Sequence, residues 1–511
     1  MLGRRLKLPF VAFAIALVSS VGVAMAQTSP QRGGTLTIGF PSDSKTFDPT
    51  FSVQFTEREV LYLVYNTLVR FAPDFSIQPE LATSWAIDGE GKRITFNLRS
   101  GVKFQDGTPF NGEAVKWNID HRLDPKVASS QRQQLAPIIE SVEVKDPVTV
   151  VFHLKEPSPG LLSLLGERPG FMISPAAAAK YGADFGNHPV GTGPFVFKEW
   201  VKGSDIVLER NPDYWEQSKP YLDKIVFRDI ADSVVGIQRL RTGEVDFVGE
   251  ISPQEVRQIE GRPGIALYPI TVGRWYSLQW HVYEPPFNNE KLRQAVAYAI
   301  DKNRLNEILM GGKGKISQGP TPEGLWWYDP KIKSYPYDPE KAKALLAEAG
   351  YPNGFQFVLS TPQVAVFQQL NQLLQEQFAS VGIKVRLEPV ASSEWYDRVV
   401  KRATNFTPTR WTQRPDPDGL LYILFDKNGY ANTTGYDNQK IDDLLEQARS
   451  TYDREARKGI YDEVQSILAK DIPMLPLFFS VEYAALNDKV KGFEWIPDEI
   501  PRFRDLWTVG K

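Results

Sequence analysis

Residues 338–387 read DPEKAKALLAEAGYPNGFQFVLSTPQVAVFQQLNQLLQEQFASVGIKVRL, and the first third of this segment is typical of a helix. Asp338 provides a carboxylate cap and Pro339 occupies the first helical position, where its missing N–H costs nothing. Apolar residues follow at helical spacing until Gly350, which can end a helix in a left-handed conformation. The pattern predicts a helix from residue 339 to residue 349.

The rest of the segment changes its period twice. Residues 355–359 alternate as a strand, residues 367–381 carry apolar side chains on one helical face, and residues 383–387 alternate again. Strand, helix and strand in this order predict a βαβ unit, with a parallel strand pair and a right-handed crossover. The fold class is therefore α/β.

More periodic segments follow towards the C-terminus. Residues 441–448 and 456–468 each place isoleucine, leucine and alanine on one face of a predicted amphipathic helix. Together with the βαβ unit, they predict an α/β core that occupies roughly residues 272–480.

The first half of the chain has a different character. Residues 35–38, 94–98 and 148–152 alternate as strands, and the turn dipeptide Asp88-Gly89 stands near the second of them. The segment from about 71 to 180 is therefore predicted to consist of strands and turns with a few short helices.

The composition excludes several kinds of site. A chain of 511 residues predicts more than one core, at roughly 100–200 residues per domain. The absence of cysteine excludes disulfide scaffolds, thiolate zinc sites, iron–sulfur clusters and cysteine nucleophiles. Four histidines leave little material for a metal centre. The sequence predicts no cofactor and no metal site.

The N-terminus is typical of a secretory signal peptide over residues 1–26. Three basic residues within positions 4–7 precede an almost purely apolar run over 8–24, and Ala24-Met25-Ala26 provides small residues for cleavage before Gln27. A retained membrane anchor is the alternative, but the apolar run is short for a spanning helix of about 20 residues. No cysteine follows the run, so no lipid anchor is expected there.

The charge balance limits the partners. Loss of the three basic residues with the signal peptide takes the net charge from −3 to −6, and no basic tract remains that could follow a phosphate backbone. We therefore expect no nucleic acid partner and no adsorption to anionic lipid.

Several motifs, in chain order, resemble those of one protein family. They are GGTLTI (33–38), YNTLV (65–69), PELATSW (79–85), FNLR (96–99), VKF (102–104), DGTPF (106–110), PVGTGPF (189–195), RNPDYW (210–215), GEVD (243–246) and KLRQAVAYAID (291–301). Each motif alone is compatible with a purely structural role. In this order they make the sequence resemble the bacterial extracellular solute-binding proteins of family 5, the peptide- and nickel-binding subunits of ABC importers.

The resemblance implies a two-lobed periplasmic-binding-protein fold (type II, cluster C-like) with an extra subdomain inserted in lobe I. Lobe I is expected to comprise residues 33–271 plus 481–511, with the inserted subdomain at about 71–180. Lobe II is expected to comprise residues 272–480.

The resemblance also implies a function. The chain would cross between lobes near residues 269–273 and 478–481, and two crossings form a hinge that can close around a ligand. The expected protein is a monomeric periplasmic component of an ABC importer. It would capture a small peptide or a peptide-like, carboxylate-bearing solute and deliver it to the membrane permease.

The segment RWTQRPDPDG at 410–419 carries the first candidate site residues. In dipeptide and oligopeptide binders of this family, the corresponding loop presents an aspartate to the α-ammonium of the peptide, shortly after a tryptophan. Gln413 or Arg414 stands at that position here, and the loop is more similar to the branch that includes glutathione binders.

Arg414 is therefore predicted to anchor a ligand carboxylate, because a planar guanidinium donates two parallel hydrogen bonds and keeps its charge. Trp411 would supply an apolar wall, and Asp416 belongs to the same candidate set. The alternative is that Arg414 pairs with Asp416 or Asp418 and only fixes the loop. A calcium site at Asp416 is not expected, because Arg414 stands where an acidic or amide ligand is needed.

Aromatic residues near the first crossing complete the candidate set, since aromatic rings in a cleft bury large areas. The further candidates for the cleft lining are Arg274, Trp275, Tyr276 and Trp395, followed by Tyr396, His281 and the cluster at 326–328. For each aromatic residue, packing in a core is the alternative.

Two other classes of function stay open on the sequence alone. A secreted glycosidase or peptidase would need an acid–base pair that no motif reveals, and the usual nucleophile, zincin and dinucleotide motifs are absent from the sequence. A periplasmic chaperone-like scaffold would expose apolar surface instead. The ligand also stays open among dipeptides, oligopeptides, glutathione-like peptides, opines, sugars and nickel chelates.

Overall fold

The computed structural model describes residues 29–40, 44–270 and 273–509. The predicted signal peptide lies outside this part of the chain. Within it there are 21 strands and 15 α-helices, and none of these helices is both long and apolar enough to cross a bilayer.

The strands are numbered in chain order. They are β1 (Thr35–Phe40), β2 (Val69–Phe71), β3 (Ile77–Pro79), β4 (Ala82–Ile87), β5 (Arg93–Leu98), β6 (Ile139–Asp146), β7 (Thr149–Leu154), β8 (Phe195–Trp200), β9 (Asp205–Arg210), β10 (Lys224–Asp229), β11 (Phe247–Ile251), β12 (Ile265–Pro269), β13 (Trp275–Trp280), β14 (Lys315–Ile316), β15 (Gln356–Pro362), β16 (Lys384–Val390), β17 (Phe406–Trp411), β18 (Met474–Phe479), β19 (Tyr483–Asn487), β20 (Val490–Lys491) and β21 (Trp507–Thr508).

The α-helices are numbered in the same way. They are α1 (Glu57–Val64), α2 (Gly112–Leu123), α3 (Arg132–Leu135), α4 (Leu161–Leu164), α5 (Pro175–Tyr181), α6 (Ser233–Thr242), α7 (Pro253–Val256), α8 (Glu290–Tyr298), α9 (Lys302–Met310), α10 (Pro339–Glu348), α11 (Ala365–Ala379), α12 (Ser392–Val400), α13 (Leu421–Phe425), α14 (Gln439–Ser450) and α15 (Arg454–Asp471).

The predicted βαβ unit is confirmed. Strands β15 and β16 pair in parallel, and α11 connects them with its apolar face buried. Helix α10 begins as expected, because the Asp338 side chain accepts a hydrogen bond from the backbone N–H of Lys341 at 2.9 Å. Beside this pair, a four-stranded sheet in the order β14-β18-β13-β17 forms the other layer of the second lobe.

A seven-stranded sheet forms the first lobe. Its order is β12-β19-β11-β1-β10-β9-β8, and the central β1 is parallel to both of its neighbours, β10 and β11. The carboxyl ends of these three strands therefore meet at one edge of the sheet. Strand β19 comes from the far end of the chain and pairs with β11 and β12.

A third sheet, in the order β4-β5-β7-β6, is antiparallel throughout. It has a hydrophobic core of its own, which includes Phe96 and Phe152. The sheet falls within the segment at about 71–180 that the sequence predicts as an inserted subdomain, although the lobe and subdomain bounds themselves stay a prediction. The α/β architecture is that of a two-lobed binding protein with an additional subdomain.

The chain passes between the two large sheets twice, and the two crossings lie side by side. One crossing leads from β12 to β13 and the other from β18 to β19. The backbone N–H of Ser480 donates to the carbonyl of Arg274 at 3.0 Å, and the N–H of Arg274 donates to the Ser480 hydroxyl at 3.2 Å. Glycine is required at 273, since a Cβ there would lie 1.6 Å from the Ser480 carbonyl oxygen.

Candidate ligand-binding site

The candidate site lies at the carboxyl ends of β1 and β11, next to the two crossings. In open α/β sheets, ligands bind outside the carboxyl ends of parallel strands. Helix α1 contributes Glu59 to a cavity at this edge, and the loop after β17 approaches the first lobe where Arg414 lies 4.0 Å from Glu167. The site is therefore built from both lobes.

Arg274 connects the crossings to the edge of the first sheet. Its guanidinium donates to Glu499 at 2.7 Å, to Glu482 at 3.1 Å and to Glu250 at 2.5 Å. Burial opposes the charge of Arg274, but Glu482, Glu499 and Glu250 together raise its pKa. All three of its nitrogens are engaged, so the structure places this predicted ligand residue in an ion-pair network of the hinge.

A small cavity of about 20 Å³ lies beside this network. Phe55, Glu59, Glu250, Arg274, Trp495 and Glu499 are among the residues that line it. We call Glu59, Glu250 and Glu499, with the cavity between them, the acidic pocket. Glu250 and Glu499 both adopt left-handed backbone conformations, with φ of 53° and 64°, which cost non-glycine residues about 1–3 kcal/mol each.

Two carboxyl groups of the acidic pocket have strongly shifted pKa values. Burial, followed by the charge of Glu250, raises the pKa of Glu59 to about 8. Burial also raises the pKa of Glu499 to about 7, although Arg274 opposes this shift. Burial therefore disfavours the charged forms of both carboxyl groups near neutral pH.

Phe55 is held in place by an unusual turn at the start of α1. The carboxylate of Glu57 accepts hydrogen bonds from the backbone N–H groups of residues 45, 46, 53 and 54 and from the Ser52 hydroxyl. The turn that leads into Phe55 is therefore fixed. The guanidinium of Arg58 lies 5.0 Å from the centre of the Phe55 ring, and that of Arg274 lies 5.7 Å from it.

Three arginines form the second feature, which we call the basic cluster. It consists of Arg58 and Arg168 of the first lobe, Arg414 of the second lobe, and one carboxylate, Glu167. Glu167 lies 3.5 Å from Arg58 and 4.0 Å from Arg414. Burial and the charge of Arg58 lower the pKa of Arg168 to about 9, which is the expected result of excess positive charge in a buried place.

Arg414 has a guanidinium without a hydrogen-bond partner among the described residues, and Nε of Arg58 is also unpartnered. The guanidinium of Arg414 is separated from Glu167 by more than hydrogen-bond distance. Its side chain is about one-third exposed and packs its stem against Gly419, where a Cβ would lie 3.2 Å from the Arg414 Cβ and Cγ. The glycine that ends RPDPDG thus makes room for the arginine.

The alternative pairing of Arg414 with a loop aspartate is absent from the described residues. The Asp416 carboxylate binds Arg457 through two hydrogen bonds of 2.8 Å, and Asp418 pairs with Arg449 at 3.0 Å. Both aspartates therefore fix the loop through other arginines. A ligand contact of Asp416 stays a prediction, and its carboxylate is already engaged on both oxygens.

The aromatic candidates are mostly buried. Trp275 is 1% exposed and Tyr276 is 2% exposed, and Tyr276 stacks on Phe478 with ring centres 4.9 Å apart. Trp411 is half-buried opposite Trp275 on the neighbouring strand. Trp395 donates from its indole N–H to the Thr407 hydroxyl at 2.9 Å. Core packing thus accounts for Trp275 and Tyr276, whereas Trp411 and Trp395 keep partly exposed surface.

The secondary candidates are placed away from the two charged features. His281 is buried and lies 3.3 Å from Glu284, Trp327 is fully buried, and Trp326 lies under the guanidinium of Arg454 at 5.1 Å. The side chain of Tyr396 lies outside the described part of the structure. Of the sequence-based candidates, the structure places Arg274 beside Phe55 and Arg414 beside Glu167.

Sequence analysis missed the acidic pocket and the lobe I half of the basic cluster. Glu59, Glu250 and Glu499 are separated by 190 residues or more in the chain, and no local motif marks them. One signal in the sequence could have indicated Glu250 as a site residue. It lies near the carboxyl end of the strand that follows the GEVD motif at 243–246. Burial of these carboxyl groups depends on tertiary structure alone.

The deciding comparison is with a family model. The model described as "Bacterial extracellular solute-binding proteins, family 5 Middle" matches residues 76–432 of this chain. The chain belongs to this family. The resemblance found in the sequence is thereby confirmed, and this family 5 protein is a substrate-binding component of an ABC importer.

Individual family members are similar over nearly their whole length. The glutathione-binding protein GsiB of Escherichia coli strain K12 is 32% identical over 477 residues, which cover 91% of this chain and 92% of that protein. The periplasmic binding protein DppA from Helicobacter pylori, solved with the peptide STSA, is 29% identical with a TM-score of 0.81 and covers 94% of this chain and 98% of its own. AgaA from A. tumefaciens R10, solved with agropinic acid, is 29% identical with a TM-score of 0.79 and covers 94% and 99%. This family and these relatives are binding proteins.

Proposed function

We propose that this family 5 protein captures a peptide-like solute through a carboxylate and delivers it unchanged to the importer's permease in the inner membrane. The observation that carries the proposal is the basic cluster, in which Arg58 of the first lobe and Arg414 of the second approach the same carboxylate, Glu167, with Arg168 beside them. GsiB binds glutathione by its name, and DppA and AgaA were solved with the peptide STSA and agropinic acid. All three of these ligands carry carboxylates.

The division of the basic cluster between the lobes couples binding to closure. Arg58 and Arg168 lie in the first lobe and Arg414 in the second, so a carboxylate between them contacts both lobes only when these approach each other. A ligand shifts the open–closed equilibrium by its difference in affinity for the two states. A shift from 1:99 to 99:1 needs about 5.5 kcal/mol, which a few charge-assisted hydrogen bonds can supply.

The compartment follows from the family and from the N-terminus. We infer that residues 1–26 act as a cleaved signal peptide and that the mature protein works in the periplasm without a lipid anchor. We also infer that it binds its solute without catalysing a reaction, as the family and its relatives are binding proteins. Stoichiometric saturation without turnover of the solute is the expected behaviour.

Replacing Arg414 with alanine tests the anchor. We expect the affinity for glutathione or for the peptide Ser-Thr-Ser-Ala, whichever binds the wild-type protein, to fall about 10–100-fold, since a hydrogen bond to a charged group contributes about 1.5–3 kcal/mol. Isothermal titration calorimetry measures the change, and mass spectrometry of the released solute tests for turnover.

The matched control is Arg304→Ala. Arg304 also pairs with one glutamate, Glu376, at 3.0 Å, but on an exposed surface, so its loss should leave affinity within twofold. Equal affinity of the Arg414→Ala variant and the wild type would exclude Arg414 as the anchor. Chemical alteration of the bound solute would favour a hydrolase instead.

A further inference from the structure

We propose that the acidic pocket receives a primary ammonium group of the bound solute. The inference rests on the proposed function and extends it, because it specifies the substrate class. The solute would be a zwitterion with its carboxylate at the basic cluster and its ammonium between Glu59, Glu250 and Glu499.

The charge balance of the pocket supports this assignment. Three carboxyl groups line the cavity, and Arg274 is the only cation among the lining residues. Arg274 is also shared with a fourth carboxylate, Glu482. The nearby arginines have other partners, since Arg502 pairs with Asp498 at 2.6 Å and Arg58 faces Glu167 at 3.5 Å. No described cation other than Arg274 forms an ion pair with a carboxyl group of the pocket, so an entering ammonium group would favour ionisation of these carboxyl groups and pair with them.

The pocket also has unused acceptors. Glu499 is only 3% exposed, and its Oε1 has no hydrogen-bond partner. No described residue donates a hydrogen bond to the carboxyl group of Glu59. Buried polar atoms without partners are rare in folded proteins and call for an explanation. An ammonium group has three N–H donors, which is a suitable number for three carboxyl groups.

The size of the cavity selects among cations. A volume of about 20 Å³ suits a group the size of a water molecule, which needs roughly 10–15 Å³ of such space. A primary ammonium meets this limit, whereas a guanidinium or a trimethylammonium group exceeds it. The Phe55 ring beside the cavity adds an aromatic face that attracts cations.

The second lobe offers no free carboxylate for the same purpose in the loop after β17. The two aspartates of that loop, Asp416 and Asp418, are engaged by Arg457 and Arg449. The negative charge that balances a solute ammonium must therefore come from carboxyl groups outside this loop. Phe55 lines the acidic pocket, and its ring centre lies 5.0 Å from the guanidinium of Arg58, so this side chain connects the two charged features.

The experiment compares free and capped amines. Glutathione and the peptide Ser-Thr-Ser-Ala, each with its N-acetylated form, are titrated calorimetrically into the wild type, Glu59→Gln and Glu250→Gln. For a probe that binds, N-acetylation should weaken binding to the wild type at least tenfold. In either variant the free and acetylated forms should bind within about twofold of each other, because the variant lacks a carboxyl group that can ionise and pair with the ammonium.

The control variant is Glu340→Gln, whose side chain is 82% exposed, and it should keep the full discrimination against acetylated probes. Discrimination that persists in both pocket variants would overturn the inference, and so would wild-type protein that binds both forms equally. Failure of both free probes to bind the wild type would instead contradict the proposed function. Circular dichroism of each variant separates loss of fold from loss of the pocket.

Discussion

Replacing Arg274 with alanine is expected to lower the free energy of unfolding by about 3–5 kcal/mol at pH 7, since removal of one partner leaves buried charges uncompensated. Glu499 is buried and Glu482 is largely buried, with side chains 1% and 16% exposed, and each pairs with this guanidinium. Urea denaturation followed by tryptophan fluorescence measures the loss.

The pH dependence of this loss provides a second readout. Burial raises the pKa of Glu499 to about 7 and also raises that of Glu482, so at pH 5 both carboxyl groups accept protons more readily and need the guanidinium less. The difference between Arg274→Ala and wild type should therefore be smaller at pH 5 than at pH 7. Arg304→Ala, which removes an exposed pair, should cost less than about 1 kcal/mol. Equal stability of the two variants would show that the network contributes nothing.

Replacing Glu59 with glutamine is expected to stabilise the ligand-free protein at neutral and alkaline pH. Its folded pKa of about 8 lies above the ordinary value of 4.5, so the folded state holds a proton that the unfolded state releases. The stability that this proton confers is fully present below pH 4.5 and is lost as the pH rises towards 8. Glutamine does not titrate and avoids the loss.

The size of this effect follows from the pKa difference. Each unit of pKa corresponds to about 1.4 kcal/mol, so Glu59→Gln should exceed the wild type by up to ~4 kcal/mol near pH 8 and match it near pH 4.5. Urea titrations at several pH values measure the gain, with Glu340→Gln as an exposed control. Parallel pH profiles of Glu59→Gln and the wild type would contradict the shifted pKa.

Glu59→Gln should therefore be more stable than the wild type without ligand and should bind amine-bearing solutes more weakly. Binding sites commonly contain residues that lower the stability of the folded protein, because ligand binding requires ionisable groups in buried positions. A structural carboxyl group would not be expected to show both effects.

The sequence predicted the helices and strands whose apolar residues recur at a regular spacing along the chain. The βαβ unit at β15, α11 and β16 follows from alternation and helical spacing alone, and the start of α10 follows from Asp338. The two-lobed arrangement came from the order of the family motifs. Neither source predicted that Ser480 and Arg274 would lie side by side, because that contact joins segments 206 residues apart.

The sequence predicted the site less completely. Arg414 was identified from its loop, and the structure leaves its guanidinium without a hydrogen-bond partner among the described residues. Arg274 was predicted to line the cleft because it follows the first crossing, but its guanidinium binds three glutamates from distant segments. The role of an arginine depends on which carboxylates the fold brings to it, and those of Arg274 lie 24, 208 and 225 residues away.

The contact between Gly273 and Ser480 has a consequence for the length of solute that the protein accepts. Because the two interlobe segments are joined without room for a side chain, we expect the lobes to rotate about this contact rather than to slide along it. A solute that binds both charged features would then meet them at a nearly constant separation, which favours solutes of one length.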